Sequence, residues 1–413
     1  MRIEAYFEVL QYVKGRPCPH RSIIAPNRLE LGQKDLLTAF IKSTTSRPLL
    51  ELREKLQIMT GRDKILFAPS CRAAIAFILS TWSQTEVVLP AYTCSVVKEA
   101  ARIAKKNIIY VDAAKNGLNA TSKEFEKEAR PGRILIPTHI YGIPTDIEAI
   151  CNLARIRNCL TIEDAAAAFG SRRKGRMLGT FGDVGVISFE RSKRLPAFRG
   201  AAIIVNNEKV IDIEKLKSPG LVKIEYKLPV RESMFAAFYN LATSPWIYGH
   251  ITLPYLLETY RRPAETEQQD ILPEASRNPF YTRDFHSYQA ALVLKMLERF
   301  DKIRARIKEL VYIYEQTLKD SPLMTFIPPE YDRAGLLRYP IAFTASERSQ
   351  ILRKALAQGL FLETNYEQPL PERADWDQFP NARWAAQNVI LLPLYARLST
   401  ERAKSLAKEL VRL

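Results

Sequence analysis

Between residues 60 and 210 the chain alternates short apolar runs, rich in β-branched residues, with longer stretches of helical periodicity. Seven runs are typical of strands, and they read KILFAPS, EVVLPAY, NIIYVDA, RILIPTHIYG, CLTIEDAA, DVGVISFE and AAIIVNN. The helical stretches between them are CRAAIAFILSTW, SVVKEAARIAKK and DIEAICNLARIRN. This alternation predicts an α/β fold in which a mostly parallel sheet is flanked by helices. Ligands of such sheets bind at the carboxyl ends of the strands.

The pattern divides the chain into four parts. After residue 283, DFHSYQAALVLKMLERFDKIRARIKELVYIYEQTLKD keeps a helical apolar spacing over roughly ten turns, which predicts one long helix. A strand (LRYPIAFT) and two helices (SERSQILRKALAQG and STERAKSLAKELVRL) follow it. We therefore expect an N-terminal arm at 1–27, a large domain at 28–214, an insertion at 215–280, and a long helix with a small C-terminal α/β domain at 281–413.

The insertion contains an uncharged stretch of aromatic and aliphatic residues from Met234 to Leu257. A transmembrane helix needs about 20 mostly apolar residues, but several polar side chains together with Pro245 and Pro254 argue against a span. We expect this stretch to be buried, to form a subunit interface or to cover the site. Peripheral contact of 234–257 with a membrane surface is the second interpretation.

Composition and charge narrow the class of protein. The 413 residues suit one large domain and a smaller one. The net charge of +16 fits a nucleic acid, an anionic membrane or a phosphorylated substrate, but the basic residues are spread over the whole chain. Because the chain has no arginine-rich arm and no RNA-binding signature, we expect no nucleic-acid partner.

The number and spacing of the cysteines and histidines indicate the cellular compartment and whether a metal site is expected. The five cysteines form no CxxC pair, and the first residues lack the layout of a signal peptide, so we expect reduced thiols in a cytoplasmic protein. The four histidines have no metal-ligand spacing with one another, which predicts that no metal is bound.

Polar and ionisable side chains collect where the expected parallel strands end. They are Asp164, Ser188, Lys193, the run Ser70-Cys71-Arg72, His139 and Tyr141. Pyridoxal phosphate requires such a set: a lysine amine that bonds to its aldehyde, a carboxylate that keeps the ring nitrogen protonated, and donors for its phosphate. The N-terminus of the helix that begins near Cys71 offers free N–H groups to a phosphate. The small residues that follow Asp164 leave room beneath the ring.

The chain resembles the DegT/StrS-type sugar aminotransferases, which use pyridoxal phosphate and have the aspartate-aminotransferase fold. The most specific segments are ILIPTHIYGIPTDIEAI and TIEDAAAAFGSRRKGRMLGTFGDVGVISFERSK. The resemblance also covers GRDKILFAPSCRAAIAF, VVLPAYTCSVVKEAARIAKKNIIYVD, DFHSYQAALVLKMLERFDKIRARI and FPNARWAAQNVILLPLYARLSTE, but not 215–280 or roughly the first 25 residues. It implies that Lys193 bonds to the cofactor, that Ser188 binds its phosphate and that Asp164 faces its ring nitrogen. It also implies a homodimer.

The chain departs from this family pattern at several places in the expected site, among them the family's glycine pair after the lysine, which reads Gly200-Ala201 here. Cys71-Arg72 replace glycine and threonine in the phosphate turn, where Arg72 can add a charge-assisted contact. Ala167 stands where glutamine or histidine is usual. Cys94 replaces the aromatic residue that stacks on the ring, so either Tyr92, two residues earlier, serves instead or the stacking is lost. Thr282 replaces an asparagine that the partner subunit contributes.

The resemblance implies an aminotransferase that moves an amino group from an amino acid, expected to be glutamate, to a keto sugar linked to a nucleotide or a lipid. Lys193 then transfers the proton as general acid and base. Two alternatives remain open. One is a different carbanion reaction on the same cofactor, such as a lyase or dehydratase, although Lys193 argues against dehydration. The other is a non-catalytic scaffold or regulator that retains the cofactor fold.

Overall fold

The computed structural model describes residue 25 and residues 28–216, 228–253, 255, 284–328, 331–343, 348–357 and 362–412. The expected arm at 1–27 lies almost wholly outside these residues. So does much of the expected insertion at 215–280, and Thr282 also lies outside them.

A seven-stranded sheet forms the centre of the molecule, in the order β1-β9-β8-β5-β4-β2-β3. Its strands are β1 (Ile65–Ala68), β2 (Glu86–Pro90), β3 (Asn107–Val111), β4 (Arg133–Leu135), β5 (Leu160–Asp164), β8 (Val184–Ser188) and β9 (Ala201–Val205). Only β9 runs antiparallel to its neighbours, β1 and β8; the remaining pairings of this sheet are parallel. A two-stranded ribbon, β6 (Arg172–Arg173) and β7 (Arg176–Met177), lies between β5 and β8 in the chain. The predicted α/β class is confirmed.

Helices cover the sheet because its central strands are apolar on both faces. Every residue of β8 and β9 is buried, as expected for strands enclosed by helices. The helices up to residue 216 are α1 (Gln33–Lys42), α2 (Arg47–Thr60), α3 (Cys71–Thr81), α4 (Ser95–Ile103), α5 (Ser122–Glu126), α6 (Ile147–Ile156) and α7 (Ile213–Leu216). The three helices predicted between strands are confirmed as α3, α4 and α6.

The expected insertion is helical where the structure describes it. Helix α8 (Leu228–Ala242) is followed by the short α9 (Pro245–Ile247) and a π-helical turn at Tyr248–Thr252. No helix in the described part of the chain is both long and apolar enough to cross a membrane.

The helix predicted after residue 283 is in fact two helices, α10 (Ser287–Leu297) and α11 (Phe300–Leu318). Helical hydrogen bonding breaks at Arg299, whose φ of −116° and ψ of 10° are not helical, and its guanidinium pairs with Asp35 of α1. The apolar spacing continued across the break because both helices bury their apolar faces in the same core. The prediction of one continuous helix was therefore wrong.

The C-terminal part contains a three-stranded antiparallel sheet, β10 (Leu323–Thr325), β11 (Tyr339–Phe343) and β12 (Val389–Leu392), in that order. Its helices are α12 (Arg348–Ala357), α13 (Pro380–Asn388) and α14 (Thr400–Val411). Loops of the C-terminal part contact segments that follow strands of the large sheet: Leu337 N donates to Tyr141 O over 2.8 Å, and Leu370 N donates to Ala91 O over 2.8 Å.

Candidate active site

A cavity of roughly 420 Å³ lies at the carboxyl ends of the parallel strands. Nine of the residues selected from the sequence line it: Ser70, Cys71, Arg72, Cys94, His139, Asp164, Ala167, Ser188 and Lys193. Residues that are far apart in the chain meet here because parallel strands end at one edge of the sheet.

Asp164 is the last residue of β5 and is only 4% exposed. Burial raises the pKa of its carboxyl group, against the opposing effects of the Ala166 N–H and the charge of Lys193. Among the described residues, this carboxylate accepts one hydrogen bond, from Ala166 N to Oδ1 at 3.0 Å. A buried carboxylate with spare acceptor capacity suits a protonated ring nitrogen, which would satisfy both its charge and its lone pairs.

Lys193 lies on the loop that joins β8 to β9. The loop is held by backbone hydrogen bonds from Lys193 N to Glu190 O (2.9 Å) and from Ala197 N to Phe189 O (2.8 Å). The next residue, Arg194, donates to Leu336 O in the C-terminal part. The lysine amine is close enough to Asp164 and to the thiols of Cys71 and Cys94 for its charge to affect their pKa values.

The N-terminus of α3 and the end of β8 lie on the side of the cavity where a phosphate is expected. Ser70 is the N-cap of α3, with extended backbone, and its hydroxyl accepts a hydrogen bond from Ala73 N at 3.1 Å. Ser188, 3% exposed, ends β8. First-turn N–H groups and the helix dipole favour a phosphate here. The Arg72 guanidinium forms an ion pair with Glu99 at 2.8 Å, so its contact with a phosphate stays a prediction.

Two cysteines are part of the cavity wall. Cys71 is the first residue of α3, and Cys94 is the N-cap of α4. Burial raises the pKa of both thiols, and the charge of Asp164 raises them further. We therefore expect both groups to be neutral thiols at pH 7, which makes them weak nucleophiles.

Tyr92 is not at the position expected of it. Its side chain is fully buried, its hydroxyl lies 2.9 Å from the Tyr141 hydroxyl, and it does not line the cavity. Tyr92 lies just after β2, and its ring packs in the core. A different tyrosine, Tyr366, lines the cavity, and its ring stacks on Tyr141 with centroids 5.4 Å apart. The expectation that Tyr92 faces the ring is therefore corrected. Tyr141, 2% exposed, lies behind Tyr366 and not on the wall.

Several residues on the wall were not selected from the sequence. They are Thr93, Val96, Thr138, Ile140, Ala166, Glu190, Arg191, Ser192, Phe198, Arg199, Gly200, Phe235 and Tyr366. Most adjoin selected residues, so extending each strand end by two or three residues would have found them. Phe235 belongs to the 234–257 stretch, for which covering the site was one expectation. Tyr366 comes from a distant segment, and no sequence signal identified it.

The residues present fit pyridoxal phosphate. The cavity combines a lysine amine, a buried carboxylate with spare acceptor capacity and a helix N-terminus, with the small side chains of Ala166 and Ala167 beside them. Lys193 would hold the aldehyde carbon, Asp164 the ring nitrogen, and Ser188 with the start of α3 the phosphate.

Comparison with known proteins identifies the family. The model of the DegT/DnrJ/EryC1/StrS aminotransferase family matches residues 42–262 and 281–411. The chain belongs to this family. The predicted cofactor, pyridoxal phosphate, and the predicted enzyme class, a transaminase of the sugar aminotransferase type, are thereby confirmed. The match includes 215–262, so the expectation that all of 215–280 lacks a counterpart was wrong.

Solved structures show the same fold at low sequence identity. Helicobacter pylori PseC, an aminotransferase involved in the biosynthesis of pseudoaminic acid, is 18% identical, with a TM-score of 0.71 over 94% of this chain and 98% of that one. The aminotransferase TlmJ from Streptoalloteichus hindustanus is 20% identical, with a TM-score of 0.70 over 94% and 98%. DesI, solved in the presence of its TDP-sugar product, is 17% identical, with a TM-score of 0.71 over 98% and 96%.

Proposed function

We propose that this enzyme transfers the amino group of an amino acid, glutamate in the first instance, to the carbonyl carbon of a keto sugar carried on a nucleotide or a lipid. The observation that supports this most directly is that one cavity contains Lys193, Asp164 and the N-terminus of α3. Each matches one chemical requirement of the cofactor, and the three come from separate parts of the sheet.

Lys193 is the proposed general acid and base. With the cofactor and an amino donor bound, the Lys193 amine would take the proton from the donor α-carbon as a base and deliver it to the cofactor as an acid. The same amine returns the proton in the opposite sense when the keto sugar is aminated. Backbone hydrogen bonds and the contact of Arg194 with Leu336 O hold its loop, which would limit the positions that the amine can take in the cavity.

Asp164 is the proposed electrostatic partner of the cofactor ring. The cofactor, when bound, accepts the electron pair released at the α-carbon, and it does so only while its ring nitrogen is protonated. The buried Asp164 carboxylate would stabilise that proton, because a charged pair is strong where water is excluded.

Helix α8 is the proposed cover of the cavity. Phe235 lines the cavity, and its ring meets that of Phe198 edge-on at 6.1 Å. Glu232, on the same helix, lies 3.4 Å from Arg199, and both side chains are only 9% exposed. These contacts favour the interpretation of 234–257 as a covering or interface element. We further propose a homodimer, as the family resemblance implies.

The test begins with the absorbance of the purified enzyme loaded with pyridoxal phosphate. We expect a visible band that glutamate discharges, and borohydride reduction followed by peptide mapping should place the cofactor on Lys193. Lys193→Ala should lose turnover and labelling, whereas Lys209→Ala, at a 3-10 turn after β9, should retain both. A label on another lysine would contradict the site, and a band inert to every amino donor would favour the scaffold. A panel of nucleotide-linked and lipid-linked keto sugars then identifies the acceptor.

A further inference from the structure

A cluster of three tyrosines connects the C-terminal part of the chain to the cavity. Tyr366 stacks on Tyr141 with centroids 5.4 Å apart and an interplanar angle of 17°. Tyr92 meets Tyr366 edge-on at 5.6 Å, and its hydroxyl bonds that of Tyr141. Of the three, Tyr366 alone lines the cavity. The two buried tyrosines therefore support its ring from behind.

The backbone of this cluster is held in an uncommon conformation. Tyr366 has a φ of +53° and Tyr141 a φ of +54°, in the left-handed region that bulky side chains rarely adopt. Such conformations persist only where the surroundings impose them, and they concentrate at ligand and active sites. Here the Tyr366 ring, which comes from the C-terminal part, reaches the cavity at the edge of the large sheet.

The Tyr366 side chain is close to the groups that would surround the cofactor ring. After burial, the largest contributions raising the pKa of its phenol come from Cys94, Tyr92 and Asp164, so the hydroxyl remains protonated. This hydroxyl makes no hydrogen bond with the described residues, and the side chain is partly exposed to the cavity. A flat aromatic face and an available donor thus lie beside the carboxylate assigned to the ring nitrogen.

We propose that Tyr366 is a cofactor-binding residue that supplies the aromatic contact to the pyridine ring. This inference rests on the proposed function. Its physical basis is that an electron-poor ring packs favourably on an aromatic face, and that the Cys94 side chain on the same wall offers none. Tyr366 also makes cofactor binding depend on the docking of the C-terminal part, which carries it.

The test compares Tyr366→Leu and Tyr366→Phe with the wild type. We measure the dissociation constant of pyridoxal phosphate by equilibrium dialysis and the visible circular dichroism of the bound cofactor. Tyr366→Leu should bind the cofactor about threefold to tenfold more weakly, since an aromatic pair contributes roughly 0.5–1.5 kcal/mol beyond its buried area, and its dichroic band should shrink. Tyr366→Phe keeps the ring and should retain at least most of the affinity.

Tyr331→Phe is the matched control for domain docking. The Tyr331 hydroxyl bonds Gly142 O and Ser171 Oγ, and its side chain does not line the cavity. If Tyr366→Leu binds the cofactor like the wild type, or if Tyr331→Phe loses as much affinity, Tyr366 has only a structural role and the inference is overturned. A wild type without any cofactor band would instead overturn the proposed function itself, and this inference with it.

Discussion

The His139 imidazole and the Glu163 carboxylate form a fully buried pair behind the candidate site, with Nε2 3.0 Å from Oε1. Thr145 N donates to Nδ1 at 3.2 Å, so the ring proton is on Nε2 and is donated to Glu163. Glu163 directly precedes Asp164 in β5, and successive strand residues point to opposite faces. The pair thus fixes the orientation of His139, a wall residue, from the face opposite Asp164.

Glu163 also organises the loop before β8. Its two oxygens accept hydrogen bonds from Gly179 N (2.6 Å), Phe181 N (2.6 Å) and Gly182 N (3.1 Å). Four donors, including the imidazole, therefore converge on one carboxylate. The glycine-rich stretch between Asp164 and Ser188 folds around this acceptor, which explains why a buried acidic side chain is tolerated there.

We predict that Glu163→Gln lowers the free energy of unfolding by about 2–3 kcal/mol, because the amide group presents N–H donors to groups that are themselves donors, and a buried unsatisfied group costs about 1–3 kcal/mol. Urea denaturation measures the loss. Glu148→Gln is the control: Glu148 pairs on the surface with Arg173 and Lys174, and such pairs contribute about 0–1 kcal/mol. Equal losses in the two variants would show that the Glu163 network is not important for stability.

We predict that Asp164→Asn reduces turnover by about 10²-fold to 10³-fold, since an amide cannot hold the cofactor nitrogen protonated and losing one partner of a buried charged pair costs about 3–5 kcal/mol. Steady-state kinetics with glutamate measures the effect. Asp112→Asn is a matched control, because Asp112 follows β3 at the same edge of the sheet but caps the helix at Asn381 and Ala382. An Asp164→Asn enzyme that keeps most of its rate would show that Asp164 is structural.

Asp164→Asn lowers turnover in the prediction above, but in the cofactor-free enzyme we expect it to leave the stability of the fold unchanged or to raise it. Burial raises the pKa of Asp164 above its unfolded value, so the folded state binds the proton more tightly. Its contribution to stability is therefore complete below the unfolded pKa and is lost as pH rises through the folded pKa. At pH 7, cofactor-free Asp164→Asn should unfold at the same temperature as the wild type or higher. Calorimetry that shows a lower melting temperature would contradict this.

The regular elements and the strand-end residues of the site were predictable because each depends on local pattern. Strands on either side of the sheet centre are continuous apolar runs, and a parallel sheet brings their ends together, which placed Asp164, Ser188 and Lys193 in one cavity. Tyr366 was not predictable, since its place depends on how the C-terminal part docks. The break at Arg299 could not be predicted from the sequence. The helices on both sides of it bury their apolar side chains in the same core, so the helical spacing of apolar residues continues across the break.

We predict that Gly200→Ala damages the loop that carries Lys193. Gly200 has a φ of +107°, and a Cβ there would lie 2.2 Å from the Phe285 ring, so both the backbone and the packing oppose a side chain. Gly61→Ala is the control, because Gly61 also has a positive φ (65°) but open space around its Cβ position. We expect Gly200→Ala to lose about 1–3 kcal/mol more stability than Gly61→Ala, and to bind pyridoxal phosphate more weakly. Thermal unfolding and cofactor dialysis measure these effects. Equal losses of stability in the two variants would show that the clash with Phe285 does not determine the effect.

The last prediction concerns the exposed apolar side chains in the described part of 234–257. Met234 is 69% exposed, Phe238 68% and Trp246 64%, although neighbouring Phe235 reaches the cavity. We expect these exposed side chains to be covered by a second subunit. Replacing Met234 and Phe238 by aspartate should then weaken the dimer by about 10²-fold or more, because a subunit interface cannot solvate the charges. Ile58→Asp, at an 83% exposed position on α2, should leave the dimer unchanged. Analytical ultracentrifugation distinguishes the cases. The interface would be contradicted if the double variant stayed dimeric. If, in addition, the wild type sediments with anionic vesicles at low salt and the double variant does not, the membrane contact would be established.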